Sequence, residues 1–93
     1  MWTLAPTAEA ELIEAIGYIA DRNPQAARAL LERVLRMFDR LGQHQLEGRL
    51  VTLRSGAPVR RWTIPPLVVF YDRTRDGVAI LRVRHGARRP ITR

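Results

Sequence analysis

The sequence predicts an α+β fold, in which a short N-terminal strand and an antiparallel helix hairpin pack on a small, mostly antiparallel β-sheet. Two observations carry this prediction. Apolar residues with helical spacing occupy the first half of the chain, and β-rich runs separated by turn residues occupy its last third. With 93 residues, the chain is expected to form a single domain over residues 1–93.

The first two predicted elements are a strand and a helix. Trp2–Leu4 is a short apolar stretch that reads as an edge strand, and Pro6 ends it. The first helix is expected over residues 8–22, where Leu12 and Ile16 lie on one apolar side. Thr7 precedes it and is the candidate N-cap.

A second helix is expected over residues 24–41. Asn23 is a good N-cap, and Pro24 at the first helical position costs no hydrogen bond. Gly42 is the expected C-terminal stop. Because so few residues separate the two helices, we expect them to form an antiparallel hairpin.

The last third of the chain predicts a three-stranded antiparallel meander. Its runs are Val59–Ile64, Leu67–Tyr71 and Val78–Arg84. Pro65-Pro66 separates the first two runs, and a polar turn with Asp76-Gly77 separates the last two.

Alternation along the last strand predicts which side chains share a face. Arginine stands at positions where most sheets carry threonine or lysine. The core face is expected to hold Ala79, Leu81 and Val83. The exposed face is expected to hold Val78, Ile80, Arg82 and Arg84. A face that is apolar at one end and cationic at the other is a candidate groove for an amphipathic segment.

Composition excludes several classes of site. The chain has no cysteine, and its two histidines are far apart in sequence, so we expect neither a metal site nor a cofactor. No apolar run approaches the roughly 20 residues that span a membrane. The N-terminus lacks the pattern of a signal peptide, and a cytoplasmic protein is therefore the default expectation.

Charge is distributed unevenly along the chain. All sixteen basic residues are arginine. Residues 1–47 hold five arginines and seven acidic residues, a net −2, whereas residues 48–93 hold eleven arginines and two aspartates, a net +9. The basic half suits nucleic acid or an acidic protein surface, and a solvated surface without a partner is the alternative.

Local signatures in this order resemble the RelE/ParE superfamily of bacterial type II toxins, and the likeness is closer to ParE. The segments that carry it are Ala15–Ala20, Asn23–Ala27, Gly48-Arg49 and Ile80–Arg89. The resemblance implies a RelE/ParE-like fold and a toxin that inhibits growth or stabilises plasmids. It also implies a cognate antitoxin, whose acidic amphipathic C-terminal segment wraps the toxin, and a heterotetramer of two toxins and two antitoxins.

The superfamily contains two activities. RelE-like members cut mRNA on the ribosome, and ParE-like members inhibit DNA gyrase. The RelE-type nuclease site has lysines, which this chain lacks, and a central-strand arginine, where this chain has Val68. Arg88 fits the arginine after the last strand, but no tyrosine follows it. The match to the nuclease site is poor.

His85 keeps the nuclease alternative open, because some RelE-like nucleases use a histidine near the end of the last strand. In that case His85 would exchange protons and Arg61 and Arg88 would bind the scissile phosphate. A structural histidine, hydrogen-bonded to the turn at Gly86, is the favoured interpretation. Trp62 is a candidate either for base stacking or for packing.

We therefore predict a ParE-like toxin that inhibits DNA gyrase by protein–protein contact and is neutralised by its antitoxin. A ribosome-dependent mRNA endonuclease is the alternative, and a nucleic-acid-binding module without toxicity is a third. No catalytic residue is favoured. The residues expected to bind the target or the antitoxin are Arg60, Arg61, Val78, Ile80, Arg82, Arg84, Arg88 and Arg89.

Overall fold

The computed structural model of the protein describes residues 1–86, which form two helices and five strands. In chain order these are β1 (Trp2–Leu4), α1 (Pro6–Ala20), α2 (Pro24–Gly42), β2 (Arg49–Thr52), β3 (Pro58–Ile64), β4 (Leu67–Thr74) and β5 (Gly77–His85). The predicted fold class, the N-terminal strand and the helix pair are confirmed.

The five strands form one sheet in the order β1-β5-β4-β3-β2. Strand β1 runs parallel to β5, and every other neighbouring pair is antiparallel. The predicted meander is thus confirmed as β3, β4 and β5. Strand β2 adds an outer edge next to β3, and β1 adds the opposite edge.

The two helices begin differently. Helix α1 starts at Pro6 after Ala5, and no side chain caps it, so the predicted N-cap at Thr7 is wrong. Proline needs no hydrogen-bond partner for its nitrogen, and it can therefore open the helix without a side-chain cap. Helix α2 is capped as predicted, because the Asn23 side chain accepts the backbone N–H of Ala26 at 3.1 Å.

The backbone of Met1 lies between two glycines. Val78 N–H donates to the Met1 carbonyl, which extends the pairing of β1 with β5. A Cβ at Gly42 would lie 2.6 Å from that carbonyl oxygen, and a Cβ at Gly77 would collide with the same atom. Helix α2 ends at Gly42, as the sequence suggests, and the close approach of Met1 is what requires glycine at this position.

Both helices pack on one face of the sheet, which we call the helix face. The core between them is apolar, with no buried polar or charged residue among those described. Its members are Ala8, Leu12, Ala15, Leu30, Val34, Phe38, Leu41, Ile64, Leu67, Val69, Tyr71, Val78, Ile80 and Val83. Neither helix in residues 1–86 combines the length and hydropathy needed to cross a membrane.

A β-bulge in β5 overturns the predicted faces of this strand. Phe70 pairs with Arg82, but the next residue, Tyr71, pairs with Ile80, so Leu81 is an extra residue. One extra residue reverses the alternation along the rest of the strand. The core therefore contains Val78 and Ile80 before the bulge and Val83 after it.

The prediction that Val78 and Ile80 are exposed is wrong, because these side chains are 1% and 0% exposed. Because they are buried, Val78 and Ile80 cannot contact a target or an antitoxin, and the expectation that they bind one is wrong. Ala79, predicted in the core, is only partly buried and pairs with Asp72 on the opposite face. Val83 was placed correctly in the core.

Candidate functional site

The sheet face opposite the helices, which we call the open face, gathers most of the arginines of the strands. Residues directly opposite each other on neighbouring strands point to the same side. Register therefore places Arg61 beside Phe70, and Phe70 beside Arg82. The adjacent row holds Thr63, Val68 and Arg84. Arg61, Arg82 and Arg84 thus share this face; the sequence predicted a shared face for Arg82 and Arg84 alone.

Arg82 and Arg84 reach around the edge of β5 to Glu11 on α1. Arg82 Nη2 lies 2.7 Å from Glu11 Oε2, and Arg82 Nε lies 3.2 Å from each oxygen of that carboxylate. Arg84 Nη1 lies 3.4 Å from Oε2. The same carboxylate accepts the Val83 backbone N–H at 2.8 Å. Two guanidinium groups and one strand N–H thus converge on one carboxylate.

The pKa of Glu11 reflects this environment. Partial burial acts to raise the pKa of Glu11, but the hydrogen bonds from Arg82 and the Val83 N–H, together with the charges of Arg82 and Arg84, lower it below its usual value. The hydrogen bond to Glu11 correspondingly raises the pKa of Arg82. Glu11 is therefore held as a carboxylate, and this corner of the open face already binds one anionic group.

Arg60 does not join Arg61. Its cross-strand partners are Leu50 and Tyr71, which places it on the helix face. There it donates to the Gly48 carbonyl at 2.9 Å and forms an ion pair with Glu47 at 3.0 Å. Arg60 therefore holds the connection between α2 and β2, although the sequence suggested a binding role for it.

Tyr71 helps to hold the same connection. Its hydroxyl accepts the Gly48 N–H at 2.6 Å, and the residue is 1% exposed. Arg73 also pairs with Glu47, at 3.5 Å, and contacts His44. Both backbone polar groups of Gly48 are thus fixed by side chains, which positions the start of β2.

His85 lies on the helix face, away from the arginines of the open face. Its cross-strand partner is the fully buried Leu67. Its ring packs edge-on against Tyr18 of α1, with 5.3 Å between the ring centroids. Arg22 in turn lies over the Tyr18 ring, 4.0 Å from its centroid. His85 thus packs against α1, whereas the Gly86 N–H donates to the Pro66 carbonyl. The predicted hydrogen bond between His85 and the turn at Gly86 stays a prediction.

Trp62 also lies on the helix face. It pairs with Val69 and packs against the core, so it is not available on the open face for base stacking. The aromatic residue that does lie on the open face is Phe70, which is partly buried. Arg88 and Arg89 lie outside the described residues.

Sequence reasoning missed two residues of this region. Glu11 is one of them, because nothing in the local sequence joins it to Arg82, which lies 71 positions further along the chain. Arg49 is the other; it lies directly opposite Arg61, and a prediction of β2 and its register would have found that pair. Among the described residues, no group of three histidine, aspartate or glutamate side chains is placed to hold a metal ion.

Comparison with known proteins agrees with this architecture. A family model described as the ParE toxin of the type II toxin–antitoxin system parDE matches residues 3–90, which is nearly the whole chain. No curated protein matches the sequence.

Proposed function

Because the chain belongs to the ParE toxin family of type II toxin–antitoxin systems, we propose that it inhibits DNA gyrase by protein–protein contact. We further propose that its cognate antitoxin, a partner that family membership implies, neutralises it. Both proteins would then act in the bacterial cytoplasm, where gyrase works on the chromosome.

The observation that carries the proposal is the position of His85. Cleavage of RNA by its 2′-hydroxyl needs a proton acceptor and a proton donor beside groups that stabilise the phosphate. The arginines that suit a phosphate, Arg61 and Arg84, lie on the open face, whereas His85 lies on the helix face. Arginine does not exchange protons near neutral pH. The separation disfavours a nuclease and leaves a basic, shaped surface, which is what an inhibitor requires.

The two tyrosines do not supply the missing proton carrier. The Tyr71 hydroxyl is buried and engaged with Gly48, and Tyr18 belongs to α1, where it packs on His85. The other histidine, His44, contacts Arg73, whose cross-strand partner Val78 is buried on the helix face. Among residues 1–86, the arginines of the open face therefore have no histidine or tyrosine beside them.

The antitoxin is expected to place carboxylates on Arg82 and Arg84. Glu11 supports this expectation, because Arg82 and Arg84 already bind one carboxylate, with which the carboxylates of the antitoxin would compete. Arginine binds a carboxylate through two parallel hydrogen bonds, which favours an acidic partner of defined geometry. An assembly of two toxins and two antitoxins is the proposed resting complex, and its mass in solution tests that stoichiometry.

The first experiment compares growth. Bacteria that express the chain alone should stop growing, and coexpression of the antitoxin gene should restore growth. Normal growth with verified soluble expression of the lone chain would contradict its action as a toxin.

The second experiment separates the two targets on one preparation of protein. Gyrase supercoiling and cleavage of ribosome-bound mRNA are measured for the unmodified chain and for His85→Ala. We expect blocked supercoiling and intact mRNA, and we expect His85→Ala to leave the inhibition in place if the variant folds. The opposite outcome is that the chain cuts mRNA, that His85→Ala abolishes the cutting, and that supercoiling is not inhibited. That outcome would show a RelE-like endonuclease and contradict the gyrase proposal.

A further inference from the structure

A single row of side chains crosses four strands of the open face. It consists of Arg49 on β2, Arg61 on β3, Phe70 on β4 and Arg82 on β5, each directly opposite the next. Since neighbouring strands lie about 4.8 Å apart, the row is about 14 Å long. We call it the arginine–phenylalanine row.

Two arginines of the row have no acidic partner among the described residues. Arg49 and Arg61 are both exposed and face each other across β2 and β3, and no ion pair in residues 1–86 involves either of them. Like charges directly opposite each other on two strands are destabilising. An anion bound between the two guanidinium groups would turn this repulsion into attraction.

Two acidic residues in this part of the structure already have arginine partners. Glu47 pairs with Arg60 and Arg73, and Glu11 pairs with Arg82 and Arg84. Asp72 lies on the open face two residues along β4 from Phe70, which is about 7 Å away. The backbone before Arg49 is fixed, because side chains bind both the N–H and the carbonyl of the preceding residue, Gly48. This fixes the point on β2 from which the Arg49 side chain starts.

Phe70 distinguishes between the possible anions. Its ring is partly exposed, with Arg61 on one side and Arg82 on the other. An aromatic ring beside cationic groups stacks on a nucleic-acid base while the cations bind the adjacent phosphates. In a duplex, the faces of the bases are already stacked on one another and do not reach such a ring. An acidic peptide would use the arginines but would gain nothing specific from stacking.

We propose that the arginine–phenylalanine row binds single-stranded nucleic acid and does not cleave it. This is a further activity beyond contact with gyrase, and it does not depend on that contact. The absence of cleavage follows from the position of His85 on the helix face. Arg49 and Arg61 would bind phosphates, and Phe70 would stack on one base, while Arg82 stays paired with Glu11.

The test is fluorescence anisotropy with a labelled oligothymidylate of about twelve nucleotides, within the range of site sizes known for single-strand binders. Binding is measured over a series of salt concentrations for the unmodified chain, for Arg49→Gln/Arg61→Gln and for Phe70→Leu. Arg28→Gln is the matched control, because Arg28 is an exposed arginine on α2, away from the open face. Thermal melting of each variant confirms that it is folded.

We expect the single strand to bind and to be recovered intact. Each phosphate contact contributes about −0.7 to the slope of log affinity against log salt, so removal of two arginines should reduce the steepness by about 1.4. Loss of one stacked base should weaken binding about 5- to 150-fold in Phe70→Leu. Arg28→Gln should change neither quantity.

Two competitors decide the class of ligand. A duplex of the same length and polyglutamate should each displace the labelled strand poorly. If polyglutamate competes equally well and Phe70→Leu binds unchanged, the row is a surface for acidic proteins and the proposal is wrong. Equal binding of the duplex, or no binding of the single strand, also overturns it. Inhibition of gyrase supercoiling by Arg49→Gln/Arg61→Gln is measured in a separate assay. A loss of nucleic-acid binding is then not mistaken for a loss of gyrase inhibition.

Discussion

The carboxylate of Glu11 on α1 accepts the backbone N–H of Val83 on β5 at 2.8 Å. Strand β1 pairs with β5 only from Val78 to Ile80, so the outer edge of β5 beyond this stretch has no neighbouring strand among the described residues. A glutamate side chain thus takes the place that a strand carbonyl would occupy. The same carboxylate holds Arg82 and Arg84, which links the helix layer to the open face.

Glu11→Gln should destabilise the protein. The amide keeps the shape of the side chain but removes the charge that binds Arg82 and Arg84 and weakens acceptance of the Val83 N–H. Because a partly buried donor or cation that loses its partner costs about 1–3 kcal/mol, we expect a loss of this order in the free energy of unfolding. Urea denaturation measures it. Glu9→Gln, an exposed change in the first turn of α1, is the control and should stay close to the unmodified chain.

The contribution of Glu11 should disappear in acid. Its pKa in the folded protein lies below the usual value, because the hydrogen bonds and charges of Arg82, Val83 and Arg84 outweigh the opposing effect of burial. The stabilisation is therefore fully present above the unfolded-state pKa of about 4.3, and it is lost as the pH falls through the folded-state pKa. The difference in unfolding free energy between the unmodified chain and Glu11→Gln should shrink over that window. A difference that does not change down to about pH 3 would contradict this account.

Tyr71→Phe should destabilise the connection between α2 and β2. The hydroxyl of Tyr71 is the acceptor for the buried Gly48 N–H, and a buried donor without an acceptor costs about 1–3 kcal/mol. The change should be less than additive with Arg60→Met, because Arg60 holds the carbonyl of the same glycine. Chemical denaturation of the two single variants and the double variant measures the coupling. Strict additivity would show that the two side chains act independently.

Two helical glycines should respond in opposite directions to alanine. Gly17 on α1 has open space where a Cβ would stand, and alanine is favoured over glycine by about 0.5–1 kcal/mol within a helix, so Gly17→Ala should stabilise. Gly42→Ala should destabilise, because its Cβ would lie 2.6 Å from the Met1 carbonyl oxygen. Thermal melting compares them. Stabilisation by both changes would contradict this prediction and would mean that the Met1 backbone moves away from Gly42 at little cost.

Antitoxin binding should depend on Arg84 far more than on Arg28. Arg84→Glu puts a repulsive charge where the antitoxin carboxylates are expected, and disruption of a buried interfacial charge pair costs about 2–5 kcal/mol. Arg28→Glu changes an exposed position on α2 and should have little effect. Isothermal titration with the antitoxin C-terminal peptide provides the comparison. Equal losses of affinity in the two variants would reject this placement of the antitoxin.

Much of the fold followed from short-range patterns. The cap at Asn23 and the helical spacing in α2 each specify local structure through one or a few residues, and both were confirmed. The turn between β4 and β5 was predicted one residue late, because Arg75 and Asp76 form it and Gly77 already belongs to β5. The candidate site was predicted less well. The shared face of Arg82 and Arg84 was predicted, whereas the strand register puts Arg60 on the helix face and Arg49 beside Arg61 on the open face.

The sequence by itself determined the elements, their order and the basic character of the sheet, because these depend on local propensity and composition. The tertiary structure alone decided which side chains share a face. The bulge at Leu81 arises from the fit between β4 and β5, and no neighbouring residue signals it. Because side chains alternate with a period of two, this single extra residue buries Val78 and Ile80 while leaving Arg82 and Arg84 on the open face. The position of Glu11 beside Val83 likewise depends on where β1 ends and α1 crosses the edge of β5, a long-range packing relationship that local sequence does not contain.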